Sequence, residues 1–384
     1  MKKIISLFMA MLLVFSVAVC TVSAAENQKT TTDYRYNSKF FTAKLFYNDL
    51  SLISDEYCAI PGLQNTDVAG KNCSTMTPQG LCVTEDYIFI SAYCAAEKYI
   101  KELEENKDYG SNLEKLLVEE KHQTHNSVIY IIDRETGDYI KNIVLPDKNH
   151  VGGFATDGKV IFIAKSSDKQ ISVITLKTID KAINTKSLSV KVDYDYTVDC
   201  GCTASFVTYY DNSLWVGVFN EESNGTLRRF SVDKKSYKLT ETLAVEIPAK
   251  ANGACFTKLN GEVCLAVNTS YGRKSVSQLY LCGVSDYGTD NMTVNEKGKY
   301  ILPPLAQNIC IYDGMVYSIY ESAATCYSQV ESEAGLKSTL CIVDRVCIGD
   351  ATRLFNWHSD ENILVARINA FIEAFKSIIT ALLG

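Results

Sequence analysis

One order of apolar and polar positions recurs five times along the chain. It appears in "PQGLCVTEDYIFISAY" (78–93), "HVGGFATDGKVIFIA" (150–164), "CTASFVTYYDNSLWVGVFN" (202–220), "NGACFTKLNGEVCLAVN" (252–268) and "AQNICIYDGMVYSIYES" (306–322). Each unit has small or polar residues, a short apolar run, a polar turn and a second apolar run. The turns are Glu85-Asp86, Asp157-Gly158, Asp211-Asn212, Asn260-Gly261 and Asp313-Gly314. Asx-Gly between apolar runs predicts a hairpin, because both turn residues must tolerate positive φ. A third run follows each hairpin: 127–145, "ISVITL" (171–176), "TLRRFSV" (226–232), "SQLYLCGV" (277–284) and "STLCIVDR" (338–345). A fourth is visible in most units, as in "YIKNIVLP", "VKVDYDY" and "TETLAVEIP". Four antiparallel strands per unit predict an all-β fold, a β-propeller of five blades over residues 76–350. A pair of β-sandwiches is the runner-up, weakened by the constant strand order. Residues 25–75 form an N-terminal segment, and its part from 34 to 60, including "TAKLFYNDLSL" (42–52), is too short for a blade. It is expected to supply a strand that closes the ring, with six blades as the alternative.

Two stretches break the repeat. From Ala95 to His125 the first blade is interrupted by a charge-rich segment with apolar positions at Leu103, Leu113, Leu116, Leu117 and Val118, split by Gly110. A short helical hairpin fits that pattern, either as a lid or partner arm or as a solvated insertion. After residue 350, residues 351–384 end in "ENILVARINAFIEAFKSIITALLG" (361–384), which sets Leu364, Ile368, Phe371, Ile372, Phe375, Ile379 and Leu382 on one helical stripe. Arg367, Glu373 and Lys376 interrupt it, so an amphipathic helix is expected rather than a spanning one. It would dock on the propeller's side, meet a partner protein or lie on a membrane surface.

The N-terminus changes the setting. Lys2 and Lys3 precede an apolar stretch from Ile4 to Val19, and small residues follow up to Ala24. That is the pattern of a secretory signal peptide over residues 1–24, so a secreted protein is expected, free or held at the cell surface. A lipid anchor on Cys20 is disfavoured by the bulky Val19 before it. Loss of the two lysines takes the formal charge from −7 to −9, and no basic stripe offsets it, which argues against a nucleic-acid partner. Removing Cys20 from the 14 cysteines leaves an odd number, many of them inside apolar runs (Cys82, Cys255, Cys264, Cys282, Cys310, Cys341). There cysteine reads as a small buried hydrophobe, and pairing cannot be deduced from spacing.

The phrases "PQG", "HVGGFATDG" and "YDGMVY", spread over about residues 76 to 350, resemble the repeats of secreted bacterial β-propellers of the lactonase-like and NHL-like kind. The resemblance implies a site at the channel mouth. It leaves open whether that site belongs to an enzyme such as a lactonase or esterase or to a binding scaffold.

Residues that lead into the inner strands, and those that follow the second strands, should ring one end of the channel. The first set holds Gln79, His150, Cys202, Asn252, Gln307 and Asn308; the second holds Tyr93, Lys165, Asn220, Glu221, Asn268, Tyr271 and Glu321. Amides, an imidazole, a carboxylate and aromatic rims make a small-ligand pocket, with Gln79, His150, Asn252, Asn308, Glu321, Tyr93 and Tyr271 as binding residues. Unlike His122, His125 and His358, His150 stands at an inner-strand start, which makes it the candidate catalytic base. Gly152 and Gly153 would let backbone approach closely there. A calcium site (Ca2+) could draw oxygen ligands from Glu321, Asn220, Asn252 and Asn308, although one acid is a thin charge for it. Zinc held by Cys200, Cys202 and His150 is a weaker expectation. Nucleophile-elbow, HExxH, phosphate-loop and EF-hand motifs are missing. The chain is therefore expected to bind a small molecule, glycan or peptide at the channel mouth. A metal-assisted hydrolase or lyase on the same face and a surface interaction scaffold are the alternatives.

Overall fold

The computed structural model describes residues 55–96, 124–273, 275–328 and 341–356, with seven scattered positions between 40 and 50. The signal segment, residues 97–123 of the insertion and the helix expected over 361–384 lie outside the described residues. The N-terminal part supplies β1 (Asp55–Ala59) and a small ribbon of β2 (Thr66–Asp67) and β3 (Asn72–Cys73). Blade 1 is β4 (Met76–Val83), β5 (Tyr87–Cys94), β6 (Val128–Asp133) and β7 (Tyr139–Val144). Blade 2 starts with β8 (Val151–Thr156), β9 (Val160–Lys165) and β10 (Gln170–Thr175). A helix, α1 (Leu176–Ile183), and β11 (Ser189–Lys191) follow before the blade's outer strand β12 (Tyr196–Asp199).

Blade 3 comprises β13 (Phe206–Tyr210), β14 (Ser213–Val218), β15 (Gly225–Val232) and β16 (Leu239–Ile247). Blade 4 comprises β17 (Ala251–Leu259), β18 (Glu262–Thr269), β19 (Ser277–Ser285) and β20 (Thr293–Leu302). Blade 5 begins with β21 (Ala306–Tyr312) and β22 (Met315–Tyr320), passes the short α2 (Thr325–Ser328) and ends with β23 (Arg345–Asp350) and α3 (Ala351–Asn356). Its fourth strand is β1, antiparallel to β23, so the two ends of the described chain share one sheet. Among the described residues no helix is long and apolar enough to cross a membrane.

Apolar side chains face both sides of each blade, and the core is five layers, one at every junction. Phe89, Ile129 and Ile131 of blade 1 pack on Phe154, Ile161 and Ile163 of blade 2, and Trp215 and Leu227 of blade 3 pack on Phe256 and Leu265 of blade 4. The last layer joins Ile88, Ile90 and Tyr130 of blade 1 to Tyr317 and Ile319 of blade 5 and closes the circle. Strands buried on both faces read as nearly continuous apolar runs, which is why β9 (VIFIAK) has no exposed position.

Around the axis the inner strands meet in sequence, β4 to β8, β8 to β13, β13 to β17, β17 to β21 and β21 back to β4. Their backbones come so close that a Cβ on Gly153 would stand 2.7 Å from the Phe206 Cα, and one on Gly80 would stand 2.9 Å from the Gly153 carbonyl carbon. Four inner strands carry a register break near their start, at Pro78/Leu81, Val151/Phe154, Ala251/Gly253 and Ala306/Ile309. Polar groups on or just after the second strands of blades 1, 2 and 4 reach the next blade: the Ser91 hydroxyl donates to the Val151 carbonyl (2.7 Å), Ser166 to Ala204 (2.9 Å) and the Asn268 amide to Gln307 (3.4 Å). Between blades 3 and 4 the Lys250 N–H donates to the Asn220 carbonyl at 2.7 Å.

The structure departs from the expected strands at two places. "VKVDYDY" is two strands: Ser189–Lys191 runs parallel to β7 of blade 1, and blade 2 takes Tyr196–Asp199. The cause is α1, capped by Thr175 and docked through Ile179 and Ala182, which carries the chain over blade 1. The buried Lys141 ammonium holds it there by donating to the carbonyls of Ala182, Thr185 and Ser187 at 2.8, 3.0 and 3.2 Å. In blade 5 the third strand is Arg345–Asp350, later than "STLCIVDR". The ring is closed by a strand from within 34–60, as expected: it is Asp55–Ala59, while the described residues of 42–50 are helical or irregular. Positive φ at both turn residues is found at Asn260-Gly261, Asp313-Gly314 and Asp211-Asn212. At Asp157-Gly158 only the glycine has it, because the Asp157 carboxylate accepts the Lys159 and Val160 N–H groups in a longer turn.

Two substitutions test these contacts. Gly153→Val forces side-chain atoms into the backbone of the next blade and is expected to cost about 3 kcal/mol or more; a loss below ~1 kcal/mol in chemical denaturation would contradict the close approach. Lys141→Leu leaves the carbonyls after α1 without their donor and is expected to cost about 2 kcal/mol, read as a lower urea midpoint.

Candidate functional site at the channel mouth

Hairpin register places the candidate residues at one end of the ring. The start of each inner strand lies opposite the end of the second strand, in the pairs Met76 with Cys94, Val151 with Lys165, Phe206 with Gly217, Ala251 with Thr269 and Ala306 with Tyr320. Bulges re-aim the side chains they carry, and Gln79, Gln307 and Asn308 sit within the register breaks of β4 and β21.

Where blades 5, 1 and 2 meet, four of these side chains are linked. Glu321, 5 % exposed, follows β22 and accepts the Gln79 Nε2–H group on Oε1 at 3.0 Å. The same oxygen accepts from Gln307 Nε2. A carboxylate oxygen cannot donate, so this contact fixes the Gln79 amide with its oxygen turned away, and that oxygen accepts from His150 Nε2. The imidazole is exposed and lies on the Tyr93 ring, with centroids 4.6 Å apart and planes at 27°. With its proton on Nε2, the neutral ring keeps the basic lone pair on Nδ1.

Tyr327 on α2 joins this group. Burial, then the charge of Glu321, pushes its phenol well above the ordinary value; it is hydrogen-bonded to Glu321 and near Tyr93. The Arg273 guanidinium lies over its ring at 4.9 Å. Asn308, 1 % exposed, has neither Oδ1 nor Nδ2 bonded to a described protein group, and Asn268 Oδ1 beside the same junction is likewise unbonded. A buried amide in that condition costs on the order of 1–3 kcal/mol.

The remaining candidates stand apart from this group. Asn252 donates to the Ser270 carbonyl at 2.8 Å, and Asn220 Oδ1 accepts the N–H groups of Glu222 and Ser223 in its own turn. Tyr271 lines a cleft of about 680 Å³ at the edge of blades 3 and 4, with Glu221, Glu246 and Lys250. Its phenol is raised by a hydrogen bond to Glu221. Lys165 is held by Asp147 and Asp168 at 2.9 and 3.0 Å. Three of the four residues considered for calcium therefore have other tasks: Asn220 caps a turn, Asn252 bridges to residue 270, and Glu321 binds two amides.

The Cys200, Cys202 and His150 grouping is not formed. His150 is turned to Gln79 and Tyr93, while Cys200 Sγ donates to the carbonyls of Lys169 and Cys202 at 3.1 and 3.2 Å. A different group comes together at the root of the insertion, where one ligand atom each from Cys73, Cys94 and His125 lies within 4.8 Å of the others. Cys73 Sγ donates to Cys94 Sγ at 3.6 Å, which draws the Cys94 thiol well below its ordinary range and pushes Cys73 up. Hairpin arithmetic could have found it, since a turn at residues 85–86 returns Cys94 opposite Met76. Tyr327 on the short α2 and Arg273 on a loop lie outside the repeat, where no periodic signal marks them.

No protein-family model matches the chain, and no curated protein matches it. Among solved structures, the glutaminyl cyclase of Myxococcus xanthus is similar with a TM-score of 0.40 and 11 % identity, over 70 % of this chain and 90 % of that one. An exo-β-1,3-galactanase from Phanerochaete chrysosporium has a TM-score of 0.40 and 11 % identity, over 70 % of this chain and 60 % of that one. Hydrazine synthase of Kuenenia stuttgartiensis has a TM-score of 0.31 and 9 % identity, over 50 % of this chain, which spans 49 % of that one. At these identities and scores nothing of those proteins' chemistry transfers to this chain.

Proposed function

We propose that the protein is an exported β-propeller that binds a small polar ligand, foremost a sugar ring, at the mouth where blades 5, 1 and 2 meet. One observation carries this: the buried Glu321 carboxylate is linked through the Gln79 amide to His150, which is exposed and stacked on Tyr93. Other junctions are tied by the neutral side chains of Ser91, Ser166 and Asn268. Folding therefore does not require a charge at this position, and burying one costs stability unless donors surround it. Such expense beside the exposed His150 and the Tyr93 ring stacked on it is the mark of a binding site. The Tyr93 and His150 faces suit the C–H face of a sugar, and the amides and carboxylate suit its hydroxyls. The unbonded amide of Asn308 adds a donor and an acceptor nearby. Export is supported by Lys2, Lys3 and the apolar stretch from Ile4 to Val19.

The same series favours a second function, acid–base catalysis. A histidine held with Nε2–H toward an amide oxygen offers Nδ1 as a general base, which would make the protein a hydrolase or lyase acting on the molecule it binds.

A thermal-shift screen with monosaccharides, oligosaccharides and lactones, with and without calcium or a chelator, tests both. A sugar is expected to raise the melting temperature of the wild type, and His150→Ala is expected to weaken that sugar at least about tenfold while lowering folding stability by about 1–2 kcal/mol, because the buried Gln79 oxygen loses its donor. Equal shifts in wild type and variant would remove the mouth from consideration; turnover of a lactone that disappears in His150→Ala would move the assignment to catalysis. Gln79→Leu takes a donor from a buried carboxylate and is expected to cost about 2–3 kcal/mol and to abolish ligand binding; unchanged stability would mean Glu321 does not depend on it.

A further inference from the structure

We propose that Cys73, Cys94 and His125 form a zinc site at the root of the blade 1 insertion, distinct from the channel mouth. Cys73 ends β3, Cys94 ends β5, and His125 stands three residues before β6, so the group joins the N-terminal ribbon to both ends of the insertion. The sulfurs are 3.6 Å apart. Two thiolates on a tetrahedral zinc ion, with Zn–S bonds of ~2.3 Å, stand about 3.8 Å apart, whereas a disulfide needs about 2.05 Å. A ring nitrogen of His125 completes a three-ligand set within 4.8 Å.

A second, independent observation points to a ligand. His125 is 8 % exposed and its Nδ1 is buried without a hydrogen-bond partner. Buried imidazole nitrogens are nearly always bonded, and an ion resolves an orphan that protein groups do not. The Cys94 sulfur also accepts the backbone N–H groups of Ala96 and His125, and it stands 3.4 Å from Thr75 Oγ1. Donors converging on one sulfur are the outer shell that a metal-bound thiolate uses. Two sulfurs and one imidazole select zinc over calcium or magnesium, and the fourth position is left for water. On binding, the thiols of Cys73 and Cys94 each release a proton to solvent, and a zinc–sulfur bond replaces each S–H bond.

Metal analysis of the full chain, purified with zinc and without chelator, decides the matter. The expected result is about one zinc per chain, lost in Cys73→Ser and in His125→Ala and retained in the double variant Cys200→Ser, Cys202→Ser. Cobalt added to the metal-free wild type should give thiolate-to-metal charge-transfer absorption and strong tetrahedral d–d bands, a readout that holds even where a variant fails to fold. The proposal is overturned by zinc below about a tenth of an equivalent together with no cobalt spectrum. It is equally overturned by retention of zinc in folded Cys73→Ser, or by mass spectrometry showing Cys73 joined to Cys94 as a disulfide that takes up no metal.

Discussion

The close approach of five inner strands around one axis constrains the rest of the molecule. With so few blades the backbones nearly touch, and side chains cannot stand between them where residue 80 meets residue 153 and residue 153 meets residue 206. Glycine and a register break answer that crowding at the same level of the ring, and each break turns a neighbouring side chain out of the regular pleat. The polar residues at the channel mouth thus arise from the same geometry that closes the ring. Gln79 faces Glu321 because the strand that carries it must bulge to pass its neighbour.

The seam between blades 5 and 1 is where this geometry meets chain connectivity. Strand β1 completes blade 5 by pairing with β23, and apolar contacts of Tyr130 and Ile90 with Tyr317 and Ile319 seal the junction behind it. At the mouth, the seam substitutes a carboxylate for the hydroxyls and amide that tie other junctions. Two neutral amides meet its charge, and a third group, the Tyr327 phenol, reaches it from α2. The seam therefore places a buried carboxylate among amides and a phenol, where the junction of blades 1 and 2 pairs the buried Lys165 with Asp147.

Repetition made the fold readable from the sequence. The five hairpins and most third strands follow from apolar alternation and turn residues, since strands packed on both faces must be apolar whichever blade they belong to. Position in the repeat also brought Gln79, Tyr93, His150 and Glu321 to one end of the channel. Contacts that the repeat does not encode were hidden. Nothing in "VKVDYDY" says that its first half crosses to blade 1, because that depends on Lys141 holding the end of α1. Likewise Asn252 and Asn220 occupy the expected level, yet local bonds to Ser270 and to residues 222 and 223 use the side chains that a pocket would need. Repeat position predicts where a side chain begins, and its nearest backbone groups decide where it ends.

The cysteines illustrate the same division between pattern and place. Cys82, Cys255 and Cys282 lie in the layers between blades, where burial raises their thiols and leaves them inert small hydrophobes, as their apolar settings imply. Cys94 has nearly the same sequence setting, at the end of an apolar strand, but a different physical one. It ends a strand where the chain leaves the repeat, so its sulfur meets backbone N–H groups and the Cys73 thiol in place of a neighbouring blade. Burial in apolar surroundings stabilises the thiol, whereas converging donors stabilise the thiolate. The chemistry open to a cysteine in this propeller is therefore set by whether its strand continues into the ring or ends at a seam, and the reactive chemistry gathers where the repeat is broken.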